Sequence, residues 1–210
     1  MKIEQREDLA SKLLSRFKAE EPRTGIHVSD LANPCLRKIY YIRKGLVKPT
    51  NEDLLRWLIG KGYHQLLEGP IQEIELQIDG ITGTIDCLER ESEMLPVEFK
   101  SVRASSNKEI SEYPWWLEQF QSYLKLFGSN TGLLYVLHLM GNWKPPTEPH
   151  LRAYKLWFTD KEISDNWHEM FRRKELLLEA LRNNNPPDRT KFEWACKACS
   201  AKEICNGGEQ

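Results

Sequence analysis

No run in this sequence approaches the roughly 18 consecutive apolar residues that a bilayer-spanning helix needs. The opening Met1-Lys2-Ile3-Glu4-Gln5-Arg6 lacks the apolar core of a secretory signal. The expectation is a cytoplasmic protein with no membrane partner. Charge of one sign is also missing: 30 Lys and Arg face 31 Asp and Glu, a net charge of −1. Bulk charge therefore names no nucleic-acid partner. It does not exclude one, because carboxylates that hold metals offset basic residues elsewhere and local fields matter more than the sum. Cysteines are few and odd in number, five, which argues against a disulfide framework in a chain without a signal. There is no internal repeat and no low-complexity tail. What is present is ordinary globular composition, 40% hydrophobic and 29% charged over 210 residues, a length that suits one domain, 1–210.

Leu9, Leu13, Leu14 and Phe17 recur at helical spacing and predict a helix over 5–20. Ser29 is a candidate N-cap before Asp30-Leu31. A helix is expected through Cys35–Ile42, and another over 52–68, closed by Gly69-Pro70. Alternating stretches then predict strands over 71–78, 81–89 and 95–101. Asp79-Gly80 between the first two is a hairpin signal. Pro114 opens a helix running to Phe127. The apolar run 132–140 fits a buried strand, and 151–158 an edge strand. A charged helix follows over 160–183. The fold class is α/β, with a small mixed central sheet flanked by helices.

Two adjacent strands carry Gly83-Thr84-Ile85-Asp86 and Val97-Glu98-Phe99-Lys100. Phosphodiester cleavage calls for a hard divalent cation on oxygen ligands. Such a cation lowers the pKa of a bound water and polarises a phosphoryl oxygen. Asp86 and Glu98 would supply carboxylates, and the backbone carbonyl of Phe99 could complete the shell. Strand alternation sends Glu98 and Lys100 to one face and Phe99 to the other. Lys100 would then orient the attacking water and offset developing charge. Taken singly, an E-x-K triplet is common and could equally be a solvated strand. Two further motifs frame it: Gly60-Lys61-Gly62-Tyr63-His64 upstream and Gln119-Phe120-Gln121-Ser122-Tyr123 downstream. Gln119 and Tyr123 are four apart and share a helix face. Trp115-Trp116 could be core, an interface or a base-stacking surface.

The order G-x-x-x-H, G-x-x-D, E-x-K, Q-x-x-x-Y resembles the RecB-like branch of the PD-(D/E)xK nucleases. The resemblance implies a restriction-endonuclease-like core, Mg²⁺ or Mn²⁺, and His64 as a metal ligand. It also implies that Gln119 and Tyr123 position Lys100 or the DNA.

Cys196-Lys197-Ala198-Cys199 is followed closely by Cys205, and Cys35 stands far upstream. Four thiolates can hold Zn²⁺, a 2Fe–2S cluster or a 4Fe–4S cluster, and spacing does not separate these. One cysteine before the nuclease motifs and three after them resembles the iron–sulfur RecB-like nucleases. That likeness implies a 4Fe–4S cluster on Cys35, Cys196, Cys199 and Cys205, with segments 24–50 and 190–206 forming its subregion. The cluster would staple the two ends of the domain. Cys87 should face away from Asp86 as a small buried hydrophobe. Arg37, Lys38, Arg43 and Lys44 could contact DNA phosphates or form a solvated face.

With every motif in one compact chain, the sequence resembles the standalone CRISPR-associated exonucleases, Cas family four. That implies trimming of single-stranded DNA ends to prepare new spacers beside the Cas integrase. A RecB-like nuclease of repair, recombination or a virus shares the same chemistry. A catalytically silent iron–sulfur DNA-binding module would be expected to lack the Asp86, Glu98 and Lys100 set. Oligomeric state is not legible.

Overall fold

The structure, a computed structural model, describes residues 24–67, 72–102, 109–139, 149–197 and 199–207. The helix expected over 5–20 and the Gly69-Pro70 stop lie outside them. Strand β1 (Ile26–His27) runs into a one-turn helix α1 (Val28–Leu31), followed by α2 (Leu36–Arg43) and α3 (Asn51–Leu67). Strands β2 (Gln72–Ile78), β3 (Ile81–Arg90) and β4 (Met94–Val102) come next. A 3-10 turn (Ile110–Glu112) leads to α4 (Pro114–Phe127), β5 (Thr131–His138), β6 (His150–Trp157) and α5 (Asp160–Asn183). Two short helices follow, α6 (Glu193–Lys197) and α7 (Lys202–Gly207). The expected elements that fall among the described residues are present close to their expected ends.

The Ser29 cap is a correction. The α1 turn begins at Val28, because the Asp30 carboxylate reaches back to accept the His27 N–H at 3.3 Å. His27 is therefore the cap, and Ser29 falls inside the turn.

Asp79 and Gly80, both with positive φ (53° and 71°), turn β2 into β3. Such turns suit hairpins because their twist matches that of the strands. β2 pairs antiparallel along one edge of β3, from Ile78↔Ile81 to Gln72↔Cys87. On the other edge β1 lies parallel at Ile81 and Thr82. β4 joins that edge, antiparallel, only from Cys87↔Val97 to Arg90↔Met94. Between them Gly83–Asp86 has no strand partner on that edge among the described residues, so β3 and β4 part at Asp86 like the arms of a fork. β4 continues parallel to β5, and β5 antiparallel to β6. The sheet is mixed, in the order β1-β3-β4-β5-β6 with β2 flanking β3. A parallel β4–β5 pair needs a crossover, and α4 is that crossover.

Helices cover both faces. On one side α1, α2, α4 and α5 pack on Ile81, Ile85 and Leu88. On the other, Tyr63 of α3 packs with Cys87, Leu95, Val97, Phe99 and Leu133. Phe120 and Leu124 of α4 and Met170 and Leu177 of α5 are fully buried, each contributing roughly 1.5–3 kcal/mol. Two glycines let α4 lie close to the sheet. A Cβ on Gly83 would stand 2.4 Å from Leu126 Cδ1 and 3.0 Å from Tyr123 Cδ1. One on Gly132 would stand 2.7 Å from Phe120 Cζ. The first of these contacts fixes where Tyr123, and with it one face of α4, meets β3.

Candidate active site

At the fork, a side chain replaces the missing strand partner. Asp86 Oδ2 accepts the Phe99 N–H at 2.7 Å, which satisfies a backbone donor while leaving room between the strands. Alternation along β4 turns Phe99 into the cluster with Tyr63 and Cys87. It sets Glu98 and Lys100 together on the α4 side. Lys100 Nζ pairs with Glu98 Oε1 and donates to Gln119 Oε1 at 2.8 Å. Gln119 Nε2 in turn donates to Tyr123 Oη at 2.6 Å. The chain Glu98–Lys100–Gln119–Tyr123 therefore fixes the lysine from both ends. From α3, His64 Nδ1 comes within 3.4 Å of Asp86 Oδ1. Asp86, Glu98, Lys100, Gln119, Tyr123 and His64 thus meet at one place, drawn from α3, β3, β4 and α4. Cys87 points away from it and is 2% exposed.

Glu98 is 3% exposed. Burial, reinforced by the neighbouring charge of Asp86, pushes its carboxyl up to about 8, although Lys100 pulls the other way. Its Oε2 is buried without a hydrogen-bond partner among the described residues. A bare buried acceptor costs on the order of 1–3 kcal/mol, more when charged. Buried charges are ordinarily paired or bound to metal, so this oxygen is the feature of the site that calls for a cation. The donor set fits one: two carboxylates, the Phe99 carbonyl and an imidazole suit Mg²⁺ or Mn²⁺. The hydrogen bond to Asp86 raises the His64 pKa above its ordinary value. A ligating imidazole must be neutral, so a cation taken by His64 would displace that proton. Among the described residues no three His, Cys, Asp or Glu side chains already converge as ligands of one ion. The carboxylates are instead engaged by Lys100, His64 and the Phe99 N–H.

The cysteines lie elsewhere. Cys35, Cys196, Cys199 and Cys205 all line one cavity of about 110 Å³, with Arg37, Lys38, Arg189 and Lys202 in its wall. None is in a disulfide. Segments near the two ends of the chain therefore meet across this cavity. Cys35 stands at the N-cap position of α2 without a side-chain capping bond, and its N–H is accepted by Asn33 Oδ1 at 3.0 Å. Arg173 of α5 holds the preceding loop, donating to the Leu31 carbonyl at 2.6 Å and to the Asn33 carbonyl. Nothing in the sequence singled out Arg173, one arginine in a charged helix. Arg189 donates to the Cys205 carbonyl at 2.8 Å. Of the basic run, Arg43 pairs with Asp30 and Lys44 with Asn184. The Arg43 pair is partly buried and the Lys44 pair lies at the surface, whereas Arg37 and Lys38 line the cavity.

The fold and the fork together define an α/β protein with an acid, acid, lysine set on adjacent strands, a class that includes many nucleases. The family model for the PD-(D/E)XK nuclease superfamily matches residues 5–206, and the chain belongs to that superfamily. The solved structure of SSO0001 is similar, with a TM-score of 0.56 at 21% identity over 97% of each chain; at that identity the likeness is one of fold. A Eubacterium rectale protein named as a candidate exonuclease gives a TM-score of 0.41 at 14% identity, over 92% of this chain and 78% of its own. That score is too low to bear on the fold. No curated protein matches significantly in sequence. Among the described residues no helix is long and apolar enough to cross a membrane.

Proposed function

We propose that this nuclease-superfamily protein cleaves DNA phosphodiester bonds at Asp86, Glu98 and Lys100 with Mg²⁺ or Mn²⁺. The observation that carries the reading is the buried, unpartnered Glu98 Oε2 beside a lysine held by Glu98 and Gln119. A divalent cation bound there would lower the pKa of the attacking water and polarise the phosphate. Asp86, Glu98 and the Phe99 carbonyl would hold it, with His64 adding a ligand once deprotonated. The Lys100 ammonium, held between Glu98 and Gln119, would offset the negative charge that grows on phosphate as water attacks phosphorus. Gln119 and Tyr123 keep that ammonium from swinging away. As the water's oxygen bonds phosphorus it gives up a proton to solvent, the P–O bond to the leaving nucleotide breaks, and the departing oxygen takes a proton from solvent.

The favoured activity is exonuclease trimming of single-stranded DNA ends, by one domain spanning the chain. The favoured setting is CRISPR adaptation in the cytoplasm, beside the Cas integrase. The cavity ringed by Cys35, Cys196, Cys199 and Cys205 supports the cluster part of this reading. Zinc at about 2.3 Å from each sulfur would draw the thiolates to about 3.8 Å of one another, whereas a cubane cluster fills a wider space. The cations of Arg37, Lys38, Arg189 and Lys202 suit its anionic charge. Arg37 and Lys38, half-buried on α2, are also read as phosphate contacts.

End-labelled single- and double-stranded DNA, incubated with and without Mn²⁺, tests the reading. Ladder products from single strands that need the metal are expected. Intact DNA under all conditions would remove the nuclease assignment.

A further inference from the structure

Beside the site, α4 opens on aromatic residues that the catalytic geometry does not use. Tyr113 and Trp116 stack with centroids 4.3 Å apart and planes 8° from parallel. Tyr113 meets Trp115 edge-on at 5.8 Å. Trp115 lies 4.8 Å from Trp194 of α6, and Trp194 lies 6.2 Å from Phe192. Five rings from two distant segments thus make one band. A core would hide it, yet Trp194 is 49% exposed and Phe192 42%, and the other three are half-buried.

The band is continuous with the site. Trp115 and Gln119 are four apart on α4, on one face and about 6 Å apart in rise. Gln119 is the residue that holds Lys100. At its far end the band reaches α6, whose Cys196 lines the cysteine cavity. Cations accompany it: Lys191 Nζ sits 5.9 Å from the Phe192 ring, and Lys197 is exposed on α6 beyond Glu193. Of the acids before Tyr113, Glu112 is turned back to accept the Glu109 N–H at 2.9 Å. Aromatic faces with flanking cations are what sequence-tolerant binding of single strands uses, because every base has a π-face and the backbone is anionic. Duplex bases are already stacked on one another and cannot use such faces.

We propose that Tyr113, Trp115, Trp116, Phe192 and Trp194 form a stacking platform that receives the bases of a single DNA strand and leads its phosphates to Lys100. This deepens the nuclease reading and rests on it. The platform explains how a site without sequence readout would favour single strands.

The test is equilibrium binding of fluorescein-labelled oligothymidine, read by anisotropy in EDTA so that no cleavage intervenes, beside cleavage of the same strand by the wild type in Mn²⁺. Trp194→Ala is expected to weaken binding about tenfold, within the range for loss of one stacked base, and Phe192→Ala to weaken it less. Trp194→Phe should restore most of the affinity. The ratio of mutant to wild-type affinity should hold from 50 to 200 mM salt, since stacking, unlike phosphate contact, releases no counterions. Circular dichroism and melting, expected unchanged, guard against misfolding. Equal affinity of Trp194→Ala and wild type overturns the platform while wild-type cleavage leaves the nuclease reading standing. Absent wild-type cleavage with the stacking pattern intact overturns the nuclease reading instead. Undiminished strand binding with an altered sedimentation coefficient would assign the band to protein contact and overturn the proposal.

Discussion

Replacing Glu98 by Gln should make the metal-free protein more stable at pH 8 and at the same time deprive it of its response to Mn²⁺. In the folded protein the Glu98 carboxyl is pushed from its ordinary 4.5 up to about 8, mainly by burial. The folded state therefore binds more protons than the unfolded one between those values. Stability must fall as pH rises through that window and level off above it. The full difference has an upper limit of roughly 5 kcal/mol, and relaxation of the interior will reduce it. Between pH 6 and 8 the fall is roughly 2–3 kcal/mol. For a chain of this size that is about 4–12 °C in Tm. His64 acts in the same direction, since its pKa is raised and the stability it contributes as a cation is lost as pH rises through the folded value. Glu98→Gln removes the Glu98 part and keeps the share of the His64 part that Asp86 causes, losing only the smaller push from Glu98. The assay is differential scanning calorimetry from pH 6 to 8 in EDTA and in Mn²⁺. The wild type should show the steeper decline in EDTA. Mn²⁺ should restore it at pH 8, because the cation takes the place of the proton. A flat wild-type profile, or the same slope and the same Mn²⁺ response in Glu98→Gln, would refute the reasoning.

Gln119→Ala removes the 2.8 Å bond to Lys100 and should slow cleavage roughly 10- to 100-fold in kcat with little change in KM. Tyr123→Phe, one bond further out, should cost less; wild-type rates in both variants would show that the lysine is held by Glu98 alone. Gly83→Ala drives a methyl into Leu126 and Tyr123 and should lower stability by about 1–3 kcal/mol; an unchanged Tm would reject that close approach. Anaerobically purified protein should be brown with about four irons per chain, and Cys199→Ser should lose both colour and iron. A colourless wild type holding one zinc would contradict the cluster assignment.

Much of the architecture was legible because its signals are local. Asp79-Gly80 specifies a turn with two positive φ values, and the apolar run at 132–140 fits a buried strand. The Glu98-x-Lys100 alternation was legible for the same reason: period two fixes which side chains share a face. The fork was not. That β3 and β4 part at Asp86 depends on where β1 releases the edge and β4 takes it up, a long-range register that no local pattern encodes. The role of Asp86 as acceptor for the Phe99 N–H follows from that fork and was equally hidden. Ser29 was misread as a cap because Asp30 competes for the role by reaching back to His27. Arg43 and Lys44 read as a basic run beside aromatics, but their partners Asp30 and Asn184 come from elsewhere in the chain. The Trp115–Trp194 contact joins segments far apart in sequence, and composition alone could only leave Trp115 and Trp116 open among three roles.

Cleavage of an end-labelled single strand by wild type, Glu98→Ala and Lys100→Ala, each verified as folded by circular dichroism, tests the central claim most directly. Degradation by the wild type only when Mg²⁺ or Mn²⁺ is present, and none by either variant, is the predicted result. Undiminished cleavage by both variants would contradict it and place the chemistry elsewhere on the protein.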